Sequence, residues 1–370
     1  MQHVPEILAK IEGAKKPLIV TDKVMVSHGH VDRVLDCLAK QDMQCGVFDE
    51  AVPDPTDDIV HKGIEALNEG QHDCVIGFGG GSPLDTAKAV AVMAMHSRDL
   101  LDYRPPKEFN TPGLATIAIP TTAGTGSEVT HHTVIVHAET REKISCRGEA
   151  FVPTAAIVDY ELTLTKPRRL IADNALDTLT HAIEAYVSRK QTAFSDRMAL
   201  DCMRLVGAYV ERAFQDVDDL EARENLMLAA TLGGLAFSNS SICLVHAMSR
   251  PLGSIFHVPH GMSNAMLLPT VTEFSVGSSP DRYADCSRAI GLANTGDSDE
   301  VANEKLIQGL YSYNAEMAVP TMSEFGIDRQ EFEDALDQMA DDALRSGAPN
   351  NNPRIPDKQE IRDLFLQAWA

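Results

Sequence analysis

The chain has 370 residues, long enough for two domains, and 44% of them are apolar, enough to fill a core in each. Its 32 lysines and arginines face 54 aspartates and glutamates, and the resulting charge of −22 repels phosphate backbones, which argues against nucleic acid as a partner. No run approaches the roughly 20 consecutive apolar residues of a membrane span, and MQHVPEILAKIEGAKK lacks the layout of a signal peptide, so a cytoplasmic protein without a membrane partner is expected. The seven cysteines are scattered and show no CxxC spacing, so they read as reduced thiols, mostly buried.

In chain order, PLIVTD (17–22), QCGVFDE (44–50), DCVIGFGGG (73–81), LATIAIPTT (114–122) and AAIVDY (155–160) read as strands. VDRVLDCLAK, DIVHKGIEAL and DTAKAVAVMAM between them read as helices. Strands alternating with helices predict an open, mostly parallel sheet covered on both faces. From TKPRRLIAD onward the strand signals stop, and DRMALDCMRLVGAYVERAF, ARENLMLAATLGGLAF and DRQEFEDALDQMADDAL carry helical periodicity. The expected division is therefore an α/β domain over 1–166 and an all-α domain over 167–370, with SGAPNNNPRIPD (346–357) a loop before a final helix.

Two loops at strand ends carry ligand chemistry. FGGGSPLDTAK (78–88) places three glycines and Ser82 between a buried strand and a helix, where backbone N–H groups and the helix N-terminus favour a pyrophosphate. A plain tight turn is the competing reading. IPTTAGTGSEVT (119–130) offers Thr121, Thr122, Thr125 and Ser127 with two glycines, a polar pocket in which a ligand can lie against the backbone. Asp22, after PLIVT, suits a ribose diol and would repel a 2′-phosphate. It equally suits the N-cap of the next helix.

In DTLTHAIEAYVS (177–188), Asp177 and His181 stand four apart and share one face of an otherwise apolar helix, so they can bind one cation together or form an ordinary hydrogen-bonded pair. The other histidines of the helical half, His246, His257 and His260, all fall in VHAMSRPLGSIFHVPHG. Pro259 separates His260 from the preceding helix, so His246 and His260 can converge from different segments. One aspartate with three neutral imidazoles is a donor set suited to Fe²⁺ or Zn²⁺, with coordination left open for a substrate oxygen.

GGGSPLDTAK, PTTAGTGSEVT, DTLTHAIEAYVS, HAMSRPLGSIFHVPHGMSNAMLLP and the late NNNPRIPDKQEIRDLF together resemble the iron-containing (group III) alcohol dehydrogenases, from about residue 17 to the end. The resemblance implies a Rossmann-like dinucleotide-binding domain, a helical domain in the dehydroquinate synthase-like architecture, nicotinamide beside a divalent metal in a cleft between them, and commonly a homodimer. Carried over position by position, it implies Asp177, His181, His246 and His260 as metal ligands. Dinucleotide contacts would fall on Asp22, Gly80, Gly81, Ser82, Asp85, Thr121, Thr122, Thr125, Ser127 and Lys143. This chain departs from the pattern in three places. It lacks an opening strand and FGxG-like turn, it has Ala175 where the family has a glycine, and it has Arg250 where the family commonly has a second histidine four residues after His246.

The implied reaction is NAD-dependent interconversion of a small alcohol and its aldehyde beside Fe²⁺, with Zn²⁺ as the alternative ion. Enzymes like glycerol dehydrogenase or maleylacetate reductase, and an NAD- and metal-binding protein without turnover, are the competing readings. Residues 246, 250 and 257 are spaced by four and seven, so on a continuous helix they would form one stripe facing the metal. Arg250 cannot shuttle a proton, because a guanidinium stays charged and has no acceptor. Its fork suits a carboxylate or phosphonate on an anionic substrate such as a semialdehyde acid, or else a structural ion pair. His257 is the candidate for a proton relay.

Overall fold

The computed structural model describes residues 1–369 and divides the chain into two compact units, Met1–Thr163 and Leu164–Ala370. The division lies at the end of a 3₁₀ turn, Tyr160–Thr163, just ahead of the predicted position at 166.

The first unit begins with α1 (Val4–Leu8), β1 (Pro17–Val20), α2 (Lys23–Ser27), α3 (His30–Ala39), β2 (Gly46–Phe48) and α4 (Asp57–Glu69). It continues with β3 (Cys74–Gly79), α5 (Gly81–Met93), β4 (Ala115–Pro120), β5 (His132–Val136), β6 (Lys143–Arg147) and β7 (Ala155–Ala156). Five strands form one parallel sheet in the order β2-β1-β3-β4-β7. Side chains alternate across it, and both faces are buried. Leu18, Val20 and Val75 join Ile64, Ala87 and Val90 of α4 and α5 in one core, while Ile19, Ile76, Ile117 and Ile119 join Val4, Val34 and Leu38 of α1 and α3 in the other. That double burial explains why these strands read as continuous apolar runs.

Two expectations need correction. AAIVDY contributes only the two residues of β7, because the chain turns into the 3₁₀ segment soon afterwards. The antiparallel hairpin β5-β6 had not been anticipated. Its alternating half-buried pattern sends only Ile135, Ile144 and Cys146 into the α5 side of the core, a weaker signal than a fully buried strand.

The second unit is helical: α6 (Arg168–Val187), α7 (Ala193–Gln215), α8 (Leu220–Ser238), α9 (Leu244–Phe256), α10 (His260–Val276), α11 (Pro280–Ile290), α12 (Asp299–Glu316), α13 (Met322–Phe325), α14 (Arg329–Arg345) and α15 (Lys358–Gln367). The segment read as a loop before the last helix contains a 3₁₀ turn at Ala348–Asn351. Capping fixes several starts, with capping boxes at Thr192 for α7 and at Asp357 for α15. From Ala175 to Val187 every residue of α6 is buried, so this helix runs through the middle of the unit with α7, α8 and α10 around it. No helix among the described residues is long and apolar enough to cross a membrane.

Candidate active site

α6 carries Asp177 and His181 on one face, and its own burial closes both from solvent. α9 and α10 supply the remaining imidazoles. His246 lies in the first turn of α9, and His260 opens α10 immediately after Pro259, which stands at its N-cap. The α10 start reaches α6 because residue 261 is glycine; a methyl group there would lie 2.3 Å from the Asp173 carbonyl oxygen.

Asp177 Oδ1 is 3.5 Å from His246 Nε2, 3.6 Å from His260 Nε2 and 4.0 Å from His181 Nε2. Ligand atoms held by a cation at bonds of about 2.1 Å sit about 3.4 Å apart in a tetrahedral shell; the donors of Asp177, His181 and His246 all lie within 4.8 Å of one another, close enough to share one ion, and His260 adjoins them through Asp177. The rings of His181 and His246 stack at 4.5 Å, and Phe237 stacks on the other face of His181 at 4.4 Å. Three of the four side chains are closed to solvent, whereas the His260 ring is 45% exposed, so the cluster opens on that side.

Two residues that sequence reasoning missed complete the site. Glu184 is buried on α6, three positions after His181 and seven after Asp177. It accepts from His246 Nδ1 at 2.6 Å and from the backbone N–H groups of Cys243 and Val245 at 2.8 and 2.6 Å. This contact turns the His246 Nε2 lone pair toward the cluster, as a carboxylate behind a metal-binding imidazole does. Asn264, one turn into α10 from His260, reaches the centre. Its Nδ2 is 2.6 Å from Asp177 Oδ1, 3.2 Å from His246 Nε2 and 3.3 Å from His260 Nε2. Both residues sat inside quoted motifs at helical spacing, but an amide or carboxylate on a core helix carries no signal until its partners are known.

The electrostatics also fit a cation. Burial alone would raise the Asp177 pKa, but the imidazoles of His181, His260 and His246 hold it well below the usual carboxylate range. Burial works against a charge on His246, yet Glu184 and Asp177 raise its pKa to about 9. Two buried carboxylates among three imidazoles thus draw positive charge inward. The Asn264 amide has two hydrogens for three acceptors, and its own Oδ1 is buried without a hydrogen-bond partner. A divalent ion would satisfy all these acceptors at once.

In the first unit the two loops meet. α5 begins at Gly81, so Gly80, Gly81 and Ser82 form its N-terminus and present free backbone donors. A methyl group on Gly81 would touch Thr125 Cγ2 at 2.9 Å, and one on Gly80 would meet Thr122 Cγ2 at 3.4 Å. Thr121 donates its N–H to Gly79 O at 2.8 Å, leaving its buried Oγ1 without a partner. Gly79 has φ of 147°, the sharp turn from β3 into the loop.

Other predicted contacts turn elsewhere. Asp85 and Ser127 bind each other at 2.6 Å, and Asp85 also accepts from Val134 N at 2.9 Å; these bonds tie the two loops and the hairpin together. Burial raises the Asp85 pKa despite Lys88 nearby. Lys88, not singled out from sequence, is buried and donates to Thr130 O, Thr130 Oγ1 and His132 O. Lys143, at the start of β6, pairs with Asp54. Asp22 is the N-cap of α2, its Oδ1 accepting from Met25 N at 2.9 Å, and its Oδ2 lies beside Gly79, 3.6 Å from where a side chain would begin.

The three-residue stripe on α9 does not form. The helix ends at Phe256, and His257 is exposed at its C-cap with φ of 57°, a left-handed residue that leaves the helical face. Arg250 stays on α9 one turn after His246.

Comparison with known proteins decides the assignment. The iron-containing alcohol dehydrogenase model matches residues 1–160, and the C-terminal model of the Fe-containing alcohol dehydrogenase family matches residues 171–369. The chain belongs to the iron-containing alcohol dehydrogenase family. It is 35% identical to 1,3-propanediol dehydrogenase of Klebsiella pneumoniae over 96% of this chain and 92% of that one. It is 34% identical to the NAD-dependent methanol dehydrogenase of Bacillus methanolicus over 96% and 93%. The solved structure of a 1,3-propanediol oxidoreductase superposes with a TM-score of 0.95 at 34% identity, covering 99% of this chain and 95% of the other. The protein is therefore an oxidoreductase acting on alcohols, of a family that works with iron and a nicotinamide cofactor.

Proposed function

We propose that the enzyme interconverts a small primary alcohol and its aldehyde with NAD(H), and that Asp177, His181, His246 and His260 hold the Fe²⁺ it uses. The observation that carries this reading is the meeting of Asp177, His181 and His246, whose donor atoms lie within 4.8 Å of one another, with His260 Nε2 3.6 Å from Asp177 Oδ1 on the open side. A bound divalent ion supplies Lewis acidity, which eases deprotonation of an alcohol and polarises an aldehyde carbonyl. Nicotinamide supplies the hydride acceptor or donor. The residues of this chain provide the rest. Glu184 holds the His246 tautomer, Phe237 stacked on His181 and the burial of α6 keep water from Asp177 and His181, and the exposed edge of His260 leaves an entrance for substrate. Zn²⁺ binds such nitrogen and oxygen donors more tightly than Fe²⁺, so supply decides which ion is loaded.

In the first unit, Gly80, Gly81 and Ser82 would hold the pyrophosphate, with Thr121, Thr122 and Thr125 against it and Asp22 turned to the ribose. A carboxylate at that place favours NAD(H) over NADP(H). The assay is reduction of NAD followed by absorbance with a panel of short alcohols. The protein is first stripped of metal and then reloaded with Fe²⁺ or Zn²⁺. Activity should depend on the added ion, and full activity of metal-free protein would refute the reading. A cytoplasmic homodimer completes the proposal. It is supported by the family resemblance and by the free edge of β2, where Val47 is 41% exposed, and light scattering in solution tests it.

A further inference from the structure

Arg250 follows His246 by four residues on α9, the spacing that places two side chains on one helix face. In a chain this rich in carboxylates, other arginines of the helical unit have found partners: Arg169 with Asp173, Arg282 with Asp196 and Arg288 with Asp299. Among the described residues, the Arg250 guanidinium makes no ion pair and no hydrogen bond. The carboxylate whose charge reaches it is Glu184, and both oxygens of Glu184 are committed to Cys243 N, Val245 N and His246 Nδ1. Burial lowers the Arg250 pKa below that of an ordinary arginine, yet the residue is only half-buried. The guanidinium is thus held among protein groups while the residue as a whole keeps partial exposure. Leaving it there without an acceptor costs free energy that a bound anion would recover. The same unit opens its imidazole cluster to small molecules at His260.

We propose that Arg250 determines substrate choice by receiving the anionic end, a carboxylate or phosphonate, of a short aldehyde or alcohol whose oxygen sits at the Asp177, His181, His246 and His260 cluster. The inference rests on the alcohol–aldehyde reading above. The planar fork matches two oxygens of one such group, and a guanidinium lacks the acceptor that proton relay requires. Arginine here therefore acts on recognition, where a histidine could have carried protons.

The test compares succinate semialdehyde with butanal, which has the same number of carbons, using iron-loaded enzyme and NADH. Wild type should show the higher kcat/KM on the anionic substrate. The anionic-to-neutral ratio should fall roughly 10- to 100-fold in Arg250→Ala and in Arg250→Gln, the range of one charge-assisted contact. Arg250→Lys should recover part of it. Phosphonoacetaldehyde against acetaldehyde distinguishes a phosphonate from a carboxylate preference. A wild type that favours butanal, or equal losses on both substrates, would overturn the proposal. A second readout needs no turnover: calorimetry of 4-hydroxybutyrate binding to metal-free protein should show a loss of similar size in both variants, and unchanged affinity would overturn it. If wild type reduces neither aldehyde while 4-hydroxybutyrate binding still depends on Arg250, the reaction assigned above fails and the anion site stands.

Discussion

The glycine-loop site of the first unit and the imidazole cluster of the second are built from different material. The former consists of backbone donors at the start of α5 and small side chains beside them, so contact is made by Gly80, Gly81 and Thr125 approaching closely. The latter consists of long side chains from three helices, each fixed by a neighbour: His246 by Glu184, His181 by Phe237, and His260 by the α10 start against α6. A backbone site should tolerate loss of any one side chain and resist added volume. A side-chain site should fail when one member is removed.

The largest effect is expected at the cluster. Asp177→Ala or His260→Ala should lower alcohol oxidation to the assay background and release the metal, measured by elemental analysis. Calorimetric NAD affinity should stay near that of wild type, because the loops proposed to bind the dinucleotide belong to the other unit; a parallel loss of NAD binding would break the contrast between the two sites. Glu184→Ala should come next. Removing a carboxylate behind a metal-binding histidine typically costs about 10- to 100-fold in metal affinity or activity, so unchanged iron retention would show that Glu184 only packs.

Gly261→Ala tests the approach of α10 to α6. The added methyl has to displace the Asp173 carbonyl, and overpacking of this kind costs about 1–3 kcal/mol. The melting temperature should fall together with iron content, and a loss of stability with full iron content would separate the helix contact from the site. In the first unit, Thr122→Ala should raise KM for NAD by less than about tenfold, the range of one hydrogen bond, whereas Gly81→Ala, which meets Thr125, should raise it further. The reverse order would mean that side chains dominate there too.

The smallest effect concerns Asp22. Alanine there would remove a helix cap along with the charge, and losing a cap to alanine costs about 1 kcal/mol. Asp22→Ser removes the charge but keeps a cap, so it should raise the NADP/NAD ratio of kcat/KM several-fold without lowering the melting temperature. A wild type that prefers NADPH would show that Asp22 serves α2 alone.

Much of this was legible in the chain itself. The parallel strands read as apolar runs because both faces of the sheet are covered, and the two candidate loops read clearly as loops because each is contiguous: a strand end, its glycines or threonines and the next helix are neighbours in sequence. Asp177 and His181 were legible for the same reason, one turn apart on one helix. The β5-β6 hairpin was not, since its half-buried alternation is short and interrupted by a turn. His257 was misplaced because spacing by four and seven describes a face only while the helix lasts, and the left-handed residue after Phe256 ends it.

By itself, then, the sequence determined the candidate donors, the α/β-then-helical order of the chain and the departure at Arg250. These follow from residue type and local periodicity, which depend on near neighbours. Tertiary structure decided which donors share one point, that Glu184 and Asn264 join them, that Asp85 and Ser127 turn to each other, and that Arg250 is left without an acceptor. Each of these is a distance between side chains dozens of residues apart, set by how helices and loops close on one another, and periodicity along the chain carries no information about it.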